Sequence, residues 1–116
     1  MRIRSFRIGD AELHVNQPTG PGPVADYHRK HGTGYHHVAL RVDDLDQALK
    51  ELATRGFTAA GAPVETTPGL REVFLDPSTT GELLIQLVER AQDARSYKLD
   101  SSAVSNLVAQ APGRDD

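Results

Sequence analysis

Residues 11–15 alternate with a period of two. Ala11, Leu13 and Val15 share one face, and Glu12, His14 and Asn16 share the other. Residues 3–8 alternate more loosely, and Gly9-Asp10 between the two runs marks a tight turn, so the opening predicts a β-hairpin. The stretch 17–23 is rich in proline and glycine and reads as a loop. Pro23 suits the first position of a short helix ending near Lys30, which Gly32-Thr33-Gly34 breaks. Residues 35–42 predict a strand with His36, Val38, Leu40 and Val42 on one side and His37, Ala39 and Arg41 on the other. A helix follows. Asp44 with Gln47 three positions later predicts a capping box, Leu45, Ala48, Leu49 and Leu52 form an apolar stripe, and Gly56 supplies the stop.

Residues 57–60 read as a short strand, 63–69 as a connecting loop, 72–75 as a strand, 76–81 as a turn and 82–88 as a final strand. In that last run Leu83, Ile85 and Leu87 face one way, and Leu84, Gln86 and Val88 the other. The order from residue 35 is therefore strand, helix, strand, strand, strand, a βαβββ unit in an α+β chain. Beyond residue 90 the sequence is polar. Residues 101–110 suit a short helix behind Asp100 or Ser101, with Val104, Leu107 and Val108 on one face, and the last residues suit a disordered end. The expected organisation is a partial first module over 1–34, a complete module over 35–89 and a tail over 90–116.

Composition narrows the function classes. The 116 residues, 38% hydrophobic and 25% charged, are ordinary for one globular domain. A formal net charge of -3, with the arginines spread along the chain, gives no basic field for phosphates and argues against nucleic acid as a partner. The absence of cysteine excludes disulfides, thiolate metal sites and cysteine nucleophiles. No apolar run approaches about 18 residues, so no membrane partner is expected, and the N-terminus lacks an apolar signal core; a cytoplasmic location is the default expectation.

Three side chains with lone pairs fall on strand faces opposite apolar stripes: His14, His37 and Gln86. On the open face of a curved sheet such groups can converge on one ion, and imidazole suits zinc, cobalt, nickel and iron. A neutral ligand set leaves the metal its full charge to polarise a carbonyl oxygen and acidify a neighbouring C–H. Each residue also has a plainer reading. A lone strand histidine is ordinarily solvated or hydrogen-bonded in place, and Gln86 between apolar neighbours can be a satisfied sheet residue. His28 and His31 fit a helix surface, and Asp43 and Asp44 are better explained as caps than as acids. Alternation sends His36 away from His37, toward the helix or a strand end.

The run from Gly34 through Tyr35, His36, His37, Val38, Ala39, Leu40, Arg41, Val42, Asp43, Asp44 and Leu45, followed by Ala48-Leu49 and Arg55-Gly56-Phe57, resembles the second module of methylmalonyl-CoA epimerases. These are members of the vicinal-oxygen-chelate (glyoxalase/bleomycin-resistance) superfamily. Residues 74–81 and 84–89 resemble the end of that module, and the loop at 18–23 with the helix after it resembles the linker between modules. The resemblance implies a curved mixed sheet, preceded by a hairpin from a first module that lacks its opening part. It implies a divalent metal, cobalt, zinc, nickel, manganese or iron. Carried over by position, the family's second-module histidine ligand falls on His37. Its final-strand glutamate ligand falls on Gln86 and its first-module glutamine or glutamate ligand on His14, both departures. The remaining histidine ligand and the glutamate base of the family have no counterpart in this chain.

The function implied is a metal-dependent isomerase or lyase that stabilises an enolate of a small acyl or oxo substrate, with a CoA thioester among the candidates. Glu12, which shares a face with His14, and Glu72 are the candidate bases. The incomplete first module leaves an open strand edge, which a homodimer, coverage by the C-terminal tail or an incomplete start to the chain would each explain; a homodimer is the favoured expectation. A non-catalytic binding protein of the same fold, as in resistance-type members of the superfamily, is the alternative. A degenerate half-domain serving another chain is a third reading.

Overall fold

The computed structural model describes residues 1–90 together with Ala109 and Pro112. The helix expected over 101–110 and the disordered end expected after it lie, but for those two positions, outside the described residues. The described residues divide into two compact units, the first over Met1–Gly34 and the second from Tyr35 onward.

The first unit opens with β1 (Arg2–Ile8) and β2 (Ala11–Gln17), an antiparallel hairpin in which Ile8 pairs with Ala11. Gly9 takes φ 59° while Asp10 stays on the negative side. A two-residue loop of that form needs glycine first, because a Cβ at positive φ meets its own backbone. The register sorts most side chains by polarity, with Arg4 and Ile3 as the exceptions. Phe6 pairs with Leu13 and Arg4 with Val15 on an apolar face, and Ser5 pairs with His14 and Arg7 with Glu12 on a polar one. Phe6, Ile8, Leu13 and Val15 are exposed, so the apolar face has little covering it. The helix α1 (Pro23–His31) begins with proline in its first turn, where the missing N–H costs nothing, and ends at Gly32 with φ 75°.

The second unit is the βαβββ module. Its strands are β3 (Val38–Arg41), β4 (Val64–Thr67), β5 (Leu70–Phe74) and β6 (Ile85–Arg90), with α2 (Leu45–Ala53) between the first two. They form one mixed sheet in the order β3-β6-β5-β4, with β3 parallel to β6 and the other pairs antiparallel. The α+β class and the preceding hairpin agree with the sequence pattern. One strand does not. Residues 57–60 contribute only a single bridge, Ala59 to Leu75, and the second strand of the module lies at Val64–Thr67, inside the stretch expected to be a loop. The connection from β4 to β5 is Pro68-Gly69, with Thr67 paired to Leu70 and Gly69 at φ 82°. Proline followed by glycine satisfies the dihedral demands of a tight turn.

The helix α2 is held at both ends by the residues that predicted it. The Asp44 side chain accepts from the Gln47 N–H at 3.0 Å. Gln47 does not complete a capping box, since its amide donates to Glu51 instead. A second acceptor comes from the sheet: Glu89 of β6 takes the Leu45 N–H at 2.5 Å. Glu89 also stands 3.9 Å from Arg71, whose guanidinium donates to Asp46 at 3.2 Å. Carboxylates gathered at a helix start suit the partial positive charge there. At the far end Gly56 (φ 89°) donates to the Ala53 carbonyl and Phe57 to that of Leu52, the paired bonds of a Schellman stop.

The core of the unit lies between α2 and one face of the sheet. Leu45, Val73, Leu75 and Leu87 are buried there, with Val42, Leu49, Leu52, Ala59 and Ile85 packed around them. Strand alternation sends the neighbours of these residues to the other face.

Candidate functional site

The face of the sheet turned away from α2 carries Leu70, Glu72 and Phe74 from β5 and Leu84, Gln86 and Val88 from β6 and the residue before it. The register pairs Phe74 with Gln86, and Glu72 with Val88. Residues on this face are as well buried as those of the core: Leu84 is 1% exposed, Gln86 3% and Glu72 7%. Two polar side chains on an otherwise apolar, buried face must find partners or remain costly.

His37 reaches the same face. Its ring meets the ring of Phe74 edge-on, with centroids 5.8 Å apart and planes at 73°. Phe74 in turn lies directly across from Gln86. The strand β3 starts only at Val38, so His36 and His37 precede it and are not bound by strand alternation. The two rings meet at right angles, 5.0 Å apart, and their Nδ1 atoms lie 2.8 Å apart in a hydrogen bond. The expectation that His36 points away from His37 is therefore corrected. Tyr35, just before them, donates its hydroxyl to the Leu84 carbonyl at 2.5 Å and pins this entry segment to β6.

Burial pushes the Glu72 carboxyl above the ordinary carboxylate range, opposed by a hydrogen bond from Thr66 and by the charge of Arg90. Low dielectric disfavours the charged form, and the nearby donor and cation favour it. Thr66 sits on β4 and Arg90 on β6, the strands flanking β5. Both partners follow from sheet order, which the sequence did not disclose.

The remaining candidates lie on the first unit. His14 is half-buried on the polar face of the hairpin, and its Nε2 lies 3.0 Å from the Glu12 carboxylate. Glu12 is exposed and stands 3.9 Å from Arg7 as well. The structure thus groups the five sequence candidates as Glu12 with His14 on one unit, and His37, Glu72 and Gln86 on one sheet face of the other. Sequence reasoning missed Phe74 and the contact between His36 and His37. The first is apparent once β5 is seen to pair with β6, and the second only once β3 is seen to begin late.

In donor type the second unit's face suits a divalent ion: an imidazole, an amide oxygen and a carboxylate that lacks full compensation for its burial. Among the described residues there is no group of three or more histidine, aspartate or glutamate side chains placed to hold a metal by themselves. An ion on this face would have to draw on Gln86.

Residues 3–74 match the glyoxalase/bleomycin resistance protein/dioxygenase superfamily. The chain belongs to this superfamily. Its relatives include the uncharacterised protein YqjC of Bacillus subtilis (strain 168), 26% identical over 95 residues that cover 80% of this chain and 68% of YqjC. A hypothetical protein from Bacillus halodurans C-125 matches in structure with a TM-score of 0.65 at 25% identity, over 81% of this chain and 70% of its own. A methylmalonyl-CoA epimerase variant from Streptomyces coelicolor, in complex with 2-nitronate-propionyl-CoA, matches with a TM-score of 0.59 at 26% identity, over 78% and 69%. The methylmalonyl-CoA epimerase of Mycobacterium tuberculosis gives 0.59 at 27% identity, over 77% and 63%. Among the described residues no helix is long and apolar enough to cross a membrane.

Proposed function

We propose that the second unit carries the reactive face of a metal-dependent isomerase or lyase, one that removes and returns a proton beside a carbonyl group. The observation that supports this most is the grouping of His37, Gln86 and the buried Glu72 on one sheet face. His37 and Gln86 would hold the divalent ion, which when bound supplies positive charge to a substrate carbonyl oxygen and so acidifies the adjacent C–H. Cobalt, zinc, nickel, manganese and iron all suit a nitrogen and oxygen donor set. His14 keeps the role that the resemblance assigns to it, but it lies on the other unit and the reading does not depend on it.

Glu72 is the residue proposed to move the proton. A carboxylate in water is too weak a base for carbon acids. Burial raises the proton affinity of Glu72, and Thr66 and Arg90 keep the charged form accessible. Phe74 and Leu84 exclude water from the same face, which strengthens every charge interaction on it. A small acyl or oxo compound is the expected substrate. A CoA thioester is favoured by the epimerase neighbours, one of which is bound to a propionyl-CoA derivative.

The test is exchange of hydrogen for deuterium at the carbon next to a thioester carbonyl, with methylmalonyl-CoA as probe and protein loaded with each metal in turn. Exchange that requires metal, and that Glu72→Gln and His37→Ala abolish, is the expected result. No exchange with any of these metals would sink the catalytic reading.

A specific observation favours a second reading. The buried final-strand position holds the neutral Gln86 where the epimerase pattern has a glutamate. A non-catalytic binding protein of the same fold needs no carboxylate there. Ligand binding that survives complete removal of metal would favour it.

Self-association is proposed on separate grounds. The exposed apolar side chains Phe6, Ile8, Leu13 and Val15 on the hairpin, and the outer strand β3 with Val38 and Leu40 exposed, are surfaces that a homodimer would cover. Light scattering after size exclusion should give twice the chain mass at micromolar concentration.

A further inference from the structure

We propose that Thr66 is a positioning residue for Glu72: the bulge in β4 turns its hydroxyl onto the buried carboxylate and fixes which way that group points. The proposal rests on the reading of Glu72 as the group that moves the proton, and adds to it a residue from a neighbouring strand.

The register shows how Thr66 comes to be there. Val64 pairs with Glu72 and Glu65 with Arg71, whereas the next pair is Thr67 with Leu70. In an unbroken ladder Thr66 would stand opposite Leu70. Here it is the extra residue of the shift, released from that pairing. A bulge of this kind bends its strand and re-aims a side chain. The pairs on either side of it put Val64 and Thr67 on the face of Glu72 and Leu70, and the Thr66 hydroxyl bonds the Glu72 carboxyl.

The two ends of this bond differ in environment. Thr66 is exposed on the outer strand, and Glu72 is buried. A carboxylate can only accept, so Thr66 donates whenever Glu72 is charged. The charged form, which must take the substrate proton, is therefore the form that Thr66 holds. A buried carboxylate that loses a donor bears the cost of its desolvation. Arg90 acts from the other flank. It pairs with Leu70, shares the face of Gln86 and Val88 by alternation, and its charge also favours ionised Glu72. His37 reaches this face through Phe74. Glu65, Arg71 and Glu89 stand in one row across three strands, on the opposite face. A bulge on an outer strand also discourages pairing with another chain. That role needs an extra residue but no hydroxyl, which separates the two.

The experiment uses the full chain without metal, with Thr66→Val, which keeps the shape and removes the hydroxyl, and Thr66→Ser, which keeps the hydroxyl. Carboxyl ¹³C shifts of Glu72 through a pH series should give a higher midpoint in T66V than in the wild type, and T66S should return toward the wild type. At pH 7, T66V should lower the urea midpoint of the wild type but not that of Glu72→Leu, where no acceptor remains. A Glu72 midpoint unmoved in folded T66V, or T66S behaving as T66V does, would overturn the proposal. Deuterium exchange into methylmalonyl-CoA by metal-loaded protein tests the role of Glu72 separately. T66V should lower kcat for that exchange about 10-fold with little change in KM. If the wild type shows no exchange, the proton-moving role of Glu72 fails, and the carboxyl shifts alone decide whether Thr66 holds it.

Discussion

Phe74 and Gln86 are direct partners across β5 and β6, and the Phe74 ring also meets that of His37. The amide of Gln86 therefore lies on a buried face with an aromatic wall beside it, and Glu72 is the diagonal neighbour two residues along β5. A second carboxylate here would face Glu72 within a low-dielectric patch.

This arrangement makes Gln86→Glu informative. Without metal, two carboxyl groups on one buried face repel and one must stay protonated, so the variant should lose about 1–3 kcal/mol of stability at neutral pH. A divalent cation would offset that loss. Urea denaturation of Q86E with and without zinc or manganese checks both halves. Restoration by metal supports a cation site on this face, and a loss that no metal repairs counts against one.

Glu72 predicts a pH dependence of opposite sign to that of a salt-bridged acid. Its carboxyl is shifted up in the folded protein by burial, so across the window from about 4.5 up to the folded value the native state holds more proton than the unfolded chain. Stability from this group is full below that window and declines as pH rises through it. Glu72→Gln removes the effect. The variant should match the wild type near pH 4 and gain on it as pH rises toward 7, as read by denaturation midpoints in a pH series. A gap that closes on raising the pH would contradict the assigned cause.

Much of this fold is legible from residue pattern, and the exceptions share one cause. The helix α2 is marked three times over, by Asp44, by the stripe Leu45, Leu49 and Leu52, and by Gly56, and each of these makes the contact its type suggests. The strand β4 carries no such mark. All four of its residues are exposed, among the described residues it pairs only with β5, and a register shift between Glu65 and Thr67 breaks its alternation. An edge strand without a buried face leaves no period-two signal, whereas Ala59 in the preceding segment is packed on the core and imitates one. The site divides in the same way. Alternation within the final strand places Gln86 on its face, but His37 and His36 lie before β3, and their contacts with Phe74 and with each other depend on where β3 begins. The partners of Glu72 come from neighbouring strands and require the sheet order.

The Schellman stop at Gly56 makes a prediction about backbone alone. Gly56 holds φ 89°, and nothing lies within 4 Å of where a Cβ would stand. The cost of Gly56→Ala is therefore conformational strain rather than a clash with neighbours, about 1–2 kcal/mol. It should appear as a lower denaturation midpoint with an unchanged denaturant slope. A loss well beyond this range would mean that the α2 exit carries contacts beyond its backbone bonds.

Leu45 sets the scale for the module as a whole. It is completely buried at the first turn of α2, and its own N–H is held by Glu89, so one residue joins the helix start to β6 through both side chain and backbone. Leu45→Ala leaves a cavity among Val73, Leu75 and Leu87 and should cost about 2–5 kcal/mol. Arg71→Ala removes a solvent-screened ion pair with Asp46 and should change stability the least of the three. Glu89→Ala should fall between them, because it leaves the Leu45 N–H without its carboxylate at a half-buried helix start. Measuring the three variants by urea denaturation tests that order. If Arg71→Ala proved as damaging as Leu45→Ala, the charges around Arg71, and not the leucine core, would be what docks α2 on the sheet.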